Sequence, residues 1–229
     1  MESLEAELAD ARDLDVSAIA DAIETIGFEC TRCGACCKAI ECGDGEEGET
    51  DDHTATVFPD EIRHLQGAGD DEYDFRDVAR PMPYGLTEGD DGPEGETFEW
   101  SLQTDDCGDC TFYREDDDGL GACSVHGDRP LICRTYPFSV ALGGTSQPMG
   151  EAVDAEGMVR AHECEGLGRD IERAEAEALA DALKERAIRE LEEAIAVRDN
   201  YEPVDPEPGD VVVHDSEGQK RPDGTALDR

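Results

Sequence analysis

The apolar residues of this chain recur with helical spacing near its start. Ile19, Ile23 and Ile26 occupy positions i, i+4 and i+7, which share one face of a helix. Asp15 or Ser17 stands where such a helix needs an N-cap, and a glycine follows the last isoleucine. We therefore predict a capped amphipathic helix over this segment.

The longest periodic segment covers residues 169–199. Its apolar side chains form one stripe, and opposite charges at helical spacing cover the rest of the surface. The stripe consists of Leu179, Leu183, Leu191 and Ile195, with Ala176, Ala180 and Ala187 between them. A partner-binding helix would carry the same stripe, but packing against its own domain is the favoured interpretation.

The remaining elements are shorter and have weaker patterns. They are a helix over residues 2–12, a helix over 58–65 begun by Pro59, a half-buried strand through Phe98, Trp100 and Leu102, a hairpin over 111–124, and a strand over 131–142 interrupted by Pro137. Residues 41–52 and 66–95 are rich in turn formers and acids, so they are predicted to be largely loop.

These elements predict an α+β fold: a small irregular metal-stabilised domain with short hairpins, N-terminal helices and a long C-terminal helix. The domain is expected to cover residues 1–200. Residues 201–229, which contain several prolines and acids, are expected to be an acidic flexible tail in which residues 211–213 could add one edge strand.

The charge of the chain restricts its partners and its solvent. Asp and Glu number 60 against 19 Lys and Arg, which gives a formal charge of -41. Such a surface repels nucleic-acid phosphates and anionic lipid, so neither is expected as a partner. Because the acids are spread along the whole chain, a halophile with a salty cytoplasm is favoured over a mesophilic protein with disordered acidic loops.

A dense group of cysteines follows the first predicted helices. Cys30, Cys33, Cys36 and Cys37 form the run C-x2-C-x2-C-C within eight residues. Thiolates this close repel one another unless a cation holds them, so the run indicates a soft metal ion or an iron–sulfur cluster. Neighbouring side chains seldom reach one small ion together, so the last two cysteines are expected to serve two centres, or only one of them ligates.

Disulfides are the competing explanation for the ten cysteines of the chain. They are typical of short secreted chains with a signal peptide, whereas this N-terminus is acidic and lacks an apolar core segment. No apolar stretch approaches the length of a membrane span. The favoured interpretation is a cytoplasmic protein with reduced thiols.

Several common sites are excluded by their motifs. The chain has no G-x-x-x-x-G-K-[ST] phosphate loop, no G-x-S-x-G nucleophile elbow and no H-E-x-x-H zinc motif. The acidic turn before Gly119 is not an EF-hand, because Arg114 stands where the first ligand Asp is needed. The cysteines therefore remain the main candidates for chemistry.

The later cysteines complete a recognisable pattern. Cys107 and Cys110 form a second C-x2-C. Together with residues 28–37, the segments 110–113, 123–138 and 164–166 resemble the CxxCxxCC cysteine-cluster family of the YkgJ type, which is described as a zinc- or iron-chelating domain. The resemblance implies eight metal-binding cysteines: Cys30, Cys33, Cys36, Cys37, Cys110, Cys123, Cys133 and Cys164. Cys42 and Cys107 are additional to this set.

Eight thiolates make two sets of four, which fits one [4Fe-4S] cluster plus a zinc ion, two zinc ions, or one cluster with four structural thiols. The C-x2-C-x2-C run with a distant fourth cysteine resembles ferredoxin spacing, so a [4Fe-4S] cluster is favoured over Zn²⁺.

Three functions are compatible with this centre. The first is a metal-cluster protein whose cluster is structural or carries electrons. The second is an enzyme, either an oxidoreductase or one related to protein methylation. The third is a zinc-stabilised interaction module. An enzyme needs convergent polar groups, for which Arg129, Arg134 and Tyr136 are candidates, although structural roles are favoured for all three. His162 is favoured as a residue beside the ligands and not as a ligand.

Overall fold

A computed structural model describes residues 3–41, 50–68, 73–89, 92–143, 145, 152–154 and 157–227. The chain divides into two compact units. The first contains Met1–Cys36, Glu115–Ala122 and Leu131–Ile195, and the second contains Cys37–Arg114, Cys123–Pro130 and Ala196–Arg229.

Both helices and short strands are present, as the α+β prediction requires. The helices are α1 Leu4–Asp13, α2 Val16–Ile26, α3 Pro59–Gln66, α4 Phe75–Val78, α5 Leu131–Thr135 and α6 Arg173–Asn200. The strands are β1 Ile40–Glu41, β2 Thr50–Asp51, β3 Thr56–Val57, β4 Ala79–Pro81, β5 Leu86–Gly89, β6 Gly92–Thr97, β7 Trp100–Leu102, β8 Tyr113–Glu115, β9 Gly121–Cys123, β10 Phe138–Val140, β11 Ala152–Asp154, β12 Val159–His162, β13 Val211–Asp215 and β14 Gly218–Lys220.

The N-terminal helices form where their sequence patterns predict them. Asp15 is the N-cap of α2, and its carboxylate accepts the backbone N–H of Ser17 at 2.8 Å and of Ala18 at 3.4 Å. Gly27 ends the helix with a φ of 76°, a left-handed conformation that glycine adopts without strain. Ile23 is fully buried on the apolar face of α2.

The core of the first unit lies between these helices, α6 and a three-stranded antiparallel sheet of order β10-β12-β11. Helix α6 buries mostly alanines and leucines at i, i+4 and i+7 positions. Ala176, Ala180, Leu183, Ala187 and Leu191 are all at most 2% exposed. The apolar stripe of α6 thus packs in the core of the first unit, as favoured.

The prediction of one interrupted strand over residues 131–142 is wrong for its first half. This part forms α5, in which the hydroxyl of Thr135 donates to the carbonyl of Leu131 at 2.8 Å. The buried guanidinium of Arg186 also donates to this hydroxyl, at 3.0 Å. Tertiary bonding therefore overrides the strand preference of the segment, and β10 begins only after Pro137.

The second unit contains an antiparallel sheet of order β3-β7-β4, whose central strand was predicted from alternating apolar residues. The strand exists but is buried on both faces, because Trp100, Ser101 and Leu102 are each at most 1% exposed. Phe98 precedes the strand and is 48% exposed. The predicted half-burial is therefore wrong, because the face that carries Ser101 is covered as fully as the face that carries Trp100 and Leu102.

A second sheet in this unit has the order β14-β13-β6-β5. Its hairpin β5–β6 lies in a segment that was predicted to be mostly loop, and β13 joins β6 in parallel. The segment 201–229, expected to be a flexible tail, contains β13 and β14, with Val213 and His214 buried. Trp100 Nε1 donates to the buried carboxylate of Asp215 at 2.9 Å, which links this segment to the core of the second unit.

The predicted hairpin over residues 111–124 is present as β8 and β9. Of the predicted loop over 41–52, residues 42–49 lie outside the described ranges. None of the described helices is both long enough and apolar enough to cross a membrane.

Candidate metal centre

Two backbone segments of the first unit meet next to the cysteine run. The amide of Glu29 donates to the carbonyl of Gly166 at 3.0 Å, and the amide of Gly168 donates to the carbonyl of Gly27 at 3.0 Å. These antiparallel bonds hold residues 27–29 against residues 166–168. Because Cys30 and Cys164 follow and precede these segments directly, the pairing brings the two ends of the candidate site together.

Two glycines make this approach possible. A Cβ on Gly166 would lie 2.4 Å from the carbonyl oxygen of Glu29, and a Cβ on Gly27 would lie 2.4 Å from the carbonyl oxygen of Arg169. Neither distance is tolerated by real side chains, so both positions need glycine for steric reasons. The sequence analysis assigned Gly27 to the helix end only and gave Gly166 no role.

The cysteine loop itself is held by an arginine in an unusual conformation. Arg32, between the first two cysteines, has a φ of 60°. Its carbonyl accepts the amide of Gly121 at 2.7 Å, and its Nε donates to the carbonyl of Gly121 at 2.8 Å. These two bonds offset the cost of the left-handed backbone, which is about 1 kcal/mol or more for a side chain of this size.

The four thiols nearest this backbone pairing share one electrostatic neighbourhood. Burial raises the pKa of the Cys164 thiol, and the negative charges of Cys33, Cys36 and Cys30 raise it further. The amide of Gly166 opposes this by donating to the Cys164 sulfur at 3.4 Å. The Cys164 thiol therefore resists ionisation unless a cation compensates the negative charge around it.

Exposure differs among these cysteines. Cys30 and Cys36 are exposed, whereas Cys33 and Cys164 are half-buried. Cys133, which belongs to the same unit, lies on α5 and is also half-buried. The candidate centre therefore has one side that faces solvent.

Tyr136 lies beside the same thiols. Its hydroxyl donates a hydrogen bond to the carbonyl of Glu163, the residue before Cys164. Burial raises the pKa of the phenol, and the charges of Cys164 and Cys36 raise it further. The phenol therefore stays protonated and remains a hydrogen-bond donor at neutral pH.

The second unit holds another group of cysteines. The amide of Cys110 donates to the carbonyl of Cys37 at 2.8 Å, so these two residues are neighbours along paired backbone. Cys107 is exposed at the other end of the C-x2-C turn, where its amide donates to the carboxylate of Asp105 at 2.8 Å. Cys123 is half-buried at the end of β9.

The adjacent cysteines of the opening run fall on either side of the unit boundary. Cys36 belongs to the first unit with Cys30, Cys33 and Cys164, and Cys37 belongs to the second. Cys42 lies outside the described residues.

The cysteine sulfurs are suitable ligands for a soft metal, although the described cysteine side chains do not point at one common position. None of the nine described cysteines is in a disulfide. Within the described ranges, no three His, Cys, Asp or Glu side chains lie in an arrangement that could hold a metal ion. Sulfur ligands of this number and spacing suit zinc or an iron–sulfur cluster, and it is the metal charge that draws thiolates together.

The other candidate polar groups have structural contacts. His162 is buried, and its Nε2 is 2.9 Å from the hydroxyl of Ser139. Arg129 Nε donates to the carbonyl of His126 at 3.0 Å, and Arg134 is exposed on α5.

A comparison with protein-family models agrees with the cysteine pattern. Residues 29–165 match the family CxxCxxCC, described as "Putative zinc- or iron-chelating domain". No curated protein and no solved structure is similar enough to this chain to add to that assignment. The match covers more than half of the chain and contains the C-x2-C-x2-C-C run together with the later cysteines, so the protein belongs to the CxxCxxCC family of cysteine-cluster, metal-chelating domains.

Proposed function

We propose that this protein holds an iron–sulfur cluster, or alternatively zinc, through its cysteines, and that Cys30, Cys33, Cys36 and Cys164 form one centre in the first unit. Membership of a zinc- or iron-chelating family supports metal binding. The spacing of three close cysteines and one distant cysteine supports a [4Fe-4S] cluster.

The backbone pairing between Glu29 and Gly166 is the observation that carries this proposal. It fixes the start of the C-x2-C-x2-C run against the loop of Cys164, and the three thiolates of the run act electrostatically on that cysteine. In the thiolate form, which is the form that binds metals, these neighbouring sulfurs would repel one another unless a cation compensated their charge.

The other four cysteines of the family pattern are proposed as ligands on the resemblance alone. They are Cys37, Cys110, Cys123 and Cys133. The chain's own residues hold the thiols in place and limit the access of water, and a bound cluster would supply either folding free energy or one-electron chemistry. The exposure of Cys30 and Cys36 supports electron exchange with a partner that docks on this side.

The setting proposed for this function is the cytoplasm of a halophile. The formal charge of -41 with only 19 basic residues supports a highly saline solvent. Cysteines that bind a metal must be reduced, which supports a compartment without disulfide formation.

The test is anaerobic purification in high salt, followed by measurement of iron, zinc and acid-labile sulfide per chain and a visible spectrum. We expect about four iron and four sulfide per chain, with a broad absorption band, for a [4Fe-4S] centre. Cys164→Ser should lose this centre, whereas Cys107→Ser, which removes an exposed cysteine outside the family's eight, should retain it.

If the protein is colourless and contains two zinc ions and no sulfide, the same ligands bind zinc and the assignment of a cluster is wrong. A protein without bound metal in both high-salt and anaerobic preparations would reject the proposal altogether.

A further inference from the structure

We propose that Tyr136 is a positioning residue for the metal centre: its hydroxyl fixes the peptide group that carries Cys164, and so sets the direction of that ligand. This inference rests on the proposed function, because it assigns a role to a residue beside the ligands. Tyr136 itself carries no ligand atom in this assignment.

The position of Tyr136 follows from the end of the first unit's sheet. Strands β10 and β12 pair with Phe138 opposite Ala161, and the amide of His162 donates to the carbonyl of Pro137 at 2.9 Å. One step further along, where β12 has ended, the bond from the Tyr136 hydroxyl to the Glu163 carbonyl continues the pairing. A side chain thus replaces the backbone donor at the point where the chain leaves the sheet for the cysteine loop.

The bonded carbonyl belongs to the peptide group between Glu163 and Cys164. A peptide group is planar, so fixing its oxygen also fixes the amide nitrogen and Cα of Cys164. The direction of the Cα–Cβ bond, and with it the sulfur, depends on this plane. Without this bond, the peptide group would become ordered only when the metal binds, and that ordering would cost conformational entropy.

The downstream side of Cys164 is fixed in the same way. Its carbonyl accepts the amide of Leu167 at 3.2 Å, and its sulfur accepts the amide of Gly166 at 3.4 Å. The hydroxyl of Tyr136 supplies the fixed point on the upstream side. Cys164 is therefore held from both directions before any metal is considered.

Tyr136 can act as a fixed point because it is itself well anchored. Its amide donates to the carbonyl of Ile132 at 3.2 Å, and the preceding Thr135 is fully buried against the guanidinium of Arg186.

The experiment uses the full chain in high salt, loaded with cobalt(II), whose thiolate charge-transfer bands report ligand geometry whether the native metal is iron or zinc. Tyr136→Phe keeps the ring and removes only the hydroxyl. Loss of one hydrogen bond of ordinary net strength corresponds to about five- to tenfold faster cobalt release to a chelator, with a shifted charge-transfer band. Tyr84→Phe, which removes an exposed hydroxyl, is the matched control.

A double-variant cycle distinguishes a positioning role of Tyr136 from a general structural role, because the two roles predict different effects of Tyr136→Phe when Cys164 is absent. Cys164→Ser removes the first centre, so the cobalt that remains is bound by the other cysteines, and adding Tyr136→Phe should change neither its release rate nor its spectrum. If the change persists in that background, Tyr136 acts on the fold and the proposal is overturned. It is also overturned if Tyr136→Phe alone releases cobalt at the wild-type rate with an unchanged spectrum.

These outcomes are distinct from failure of the proposed function. That failure appears in the wild-type chain as the absence of any thiolate-to-cobalt band, whereas the role of Tyr136 is decided by the variants of a chain that does show the band.

Discussion

The backbone amide of Glu29 donates to the carbonyl of Gly166 at 3.0 Å, in a place where a single methyl group would not fit. This contact joins the start of the cysteine run to the loop of its distant fourth cysteine. The geometry of the candidate centre therefore depends on a residue that has no side chain and no metal-binding chemistry of its own.

The first prediction concerns this glycine. Gly166→Ala would place a Cβ 2.4 Å from the Glu29 oxygen, so the two segments must separate. We expect the protein to lose most of the metal of the first centre and about 2 kcal/mol of stability, the scale of an overpacked buried contact. Metal content per chain and denaturant unfolding measure the two effects.

Gly127→Ala is the control for this variant. A Cβ at Gly127 meets nothing within 4 Å, and its backbone is not left-handed. It should keep the metal and the stability of the wild type. Equal metal content in both alanine variants would show that the Glu29–Gly166 contact does not shape the centre.

The second prediction separates the two adjacent cysteines. Cys36 acts electrostatically on Cys164 within the first unit, whereas the carbonyl of Cys37 accepts the amide of Cys110 in the second. We expect Cys36→Ser to lose the metal of the first centre and Cys37→Ser to leave it bound. Metal stoichiometry and the visible spectrum of each variant make the comparison.

If Cys37→Ser loses no metal of any kind, Cys37 becomes the candidate reactive thiol of the protein. If both serine variants lose the same metal, the two cysteines serve one centre and the assignment to separate centres is wrong.

The sequence predicted α1, α2, α3 and α6 well because their patterns are local, whereas α4 and α5 were not predicted. The isoleucines of α2 and the alanine–leucine stripe of α6 lie within one helix each, so period and capping residues suffice. The strands of the second sheet were harder to predict because β13 finds its partner far away in sequence. Asp215 and Trp100, which are joined by a buried hydrogen bond, are separated by 115 positions.

The same distinction applies to the candidate centre. The cysteines were recognisable because thiol spacing is itself the signal for soft metals. The roles of Gly166, Arg32 and Tyr136 depend on close approach between distant segments, which no local pattern encodes. A glycine two residues after a cysteine was visible in the sequence, but nothing there indicated which backbone it would meet.

The third prediction concerns the pH dependence of stability through His53. Burial lowers the pKa of this imidazole to about 4, and the positive charge of Arg80 contributes in the same direction. Between pH 6.5 and 4 the unfolded chain binds a proton at His53 that the folded chain does not, so stability falls as pH falls. The loss amounts to about 3 kcal/mol in total and is absent above pH 6.5.

The variant His53→Gln cannot take up this proton in either state. Its unfolding free energy should therefore decline less between pH 7 and pH 4 than that of the wild type, by up to the same about 3 kcal/mol. Protonation of metal-bound thiols affects both proteins alike and cancels in the comparison. Parallel pH profiles for the two proteins would contradict the assignment.

The fourth prediction concerns the C-terminal strands. Asp215 is buried, accepts the indole N–H of Trp100, and lies 3.1 Å from Lys220 Nζ. Asp215→Ala leaves the buried indole N–H without an acceptor, whereas Lys220 keeps Glu217 at 2.6 Å, so we expect a loss of about 1–3 kcal/mol, the cost of an unsatisfied buried donor. Denaturant unfolding followed by the fluorescence of Trp100, the single tryptophan, measures it.

Asp205→Ala is the matched control, because Asp205 is exposed in the same C-terminal segment. It should change stability by less than about 0.5 kcal/mol. If Asp215→Ala is equally neutral, the hydrogen bond between Trp100 and Asp215 does not stabilise the attachment of the C-terminal strands.

The last prediction concerns salt, which acts on the protein's charge in two opposing ways. Arg173 forms ion pairs with Asp21, Glu24 and Glu177, and salt weakens these attractions. These pairs are exposed to solvent, so each contributes little to stability. The repulsion within a chain of formal charge -41 is larger and is also screened by salt, so its decrease should dominate.

We therefore expect the fold to loosen when the protein is dialysed from molar salt, where charges are screened within about 3 Å, into dilute buffer. Circular dichroism measures the loss of helix, and restoring potassium chloride should reverse it. An uncharged osmolyte such as sucrose distinguishes screening from general stabilisation, because it strengthens burial without screening charge. A spectrum that is unchanged at low salt, or restored equally by sucrose, would remove charge repulsion as the cause and with it the main argument for a halophilic protein.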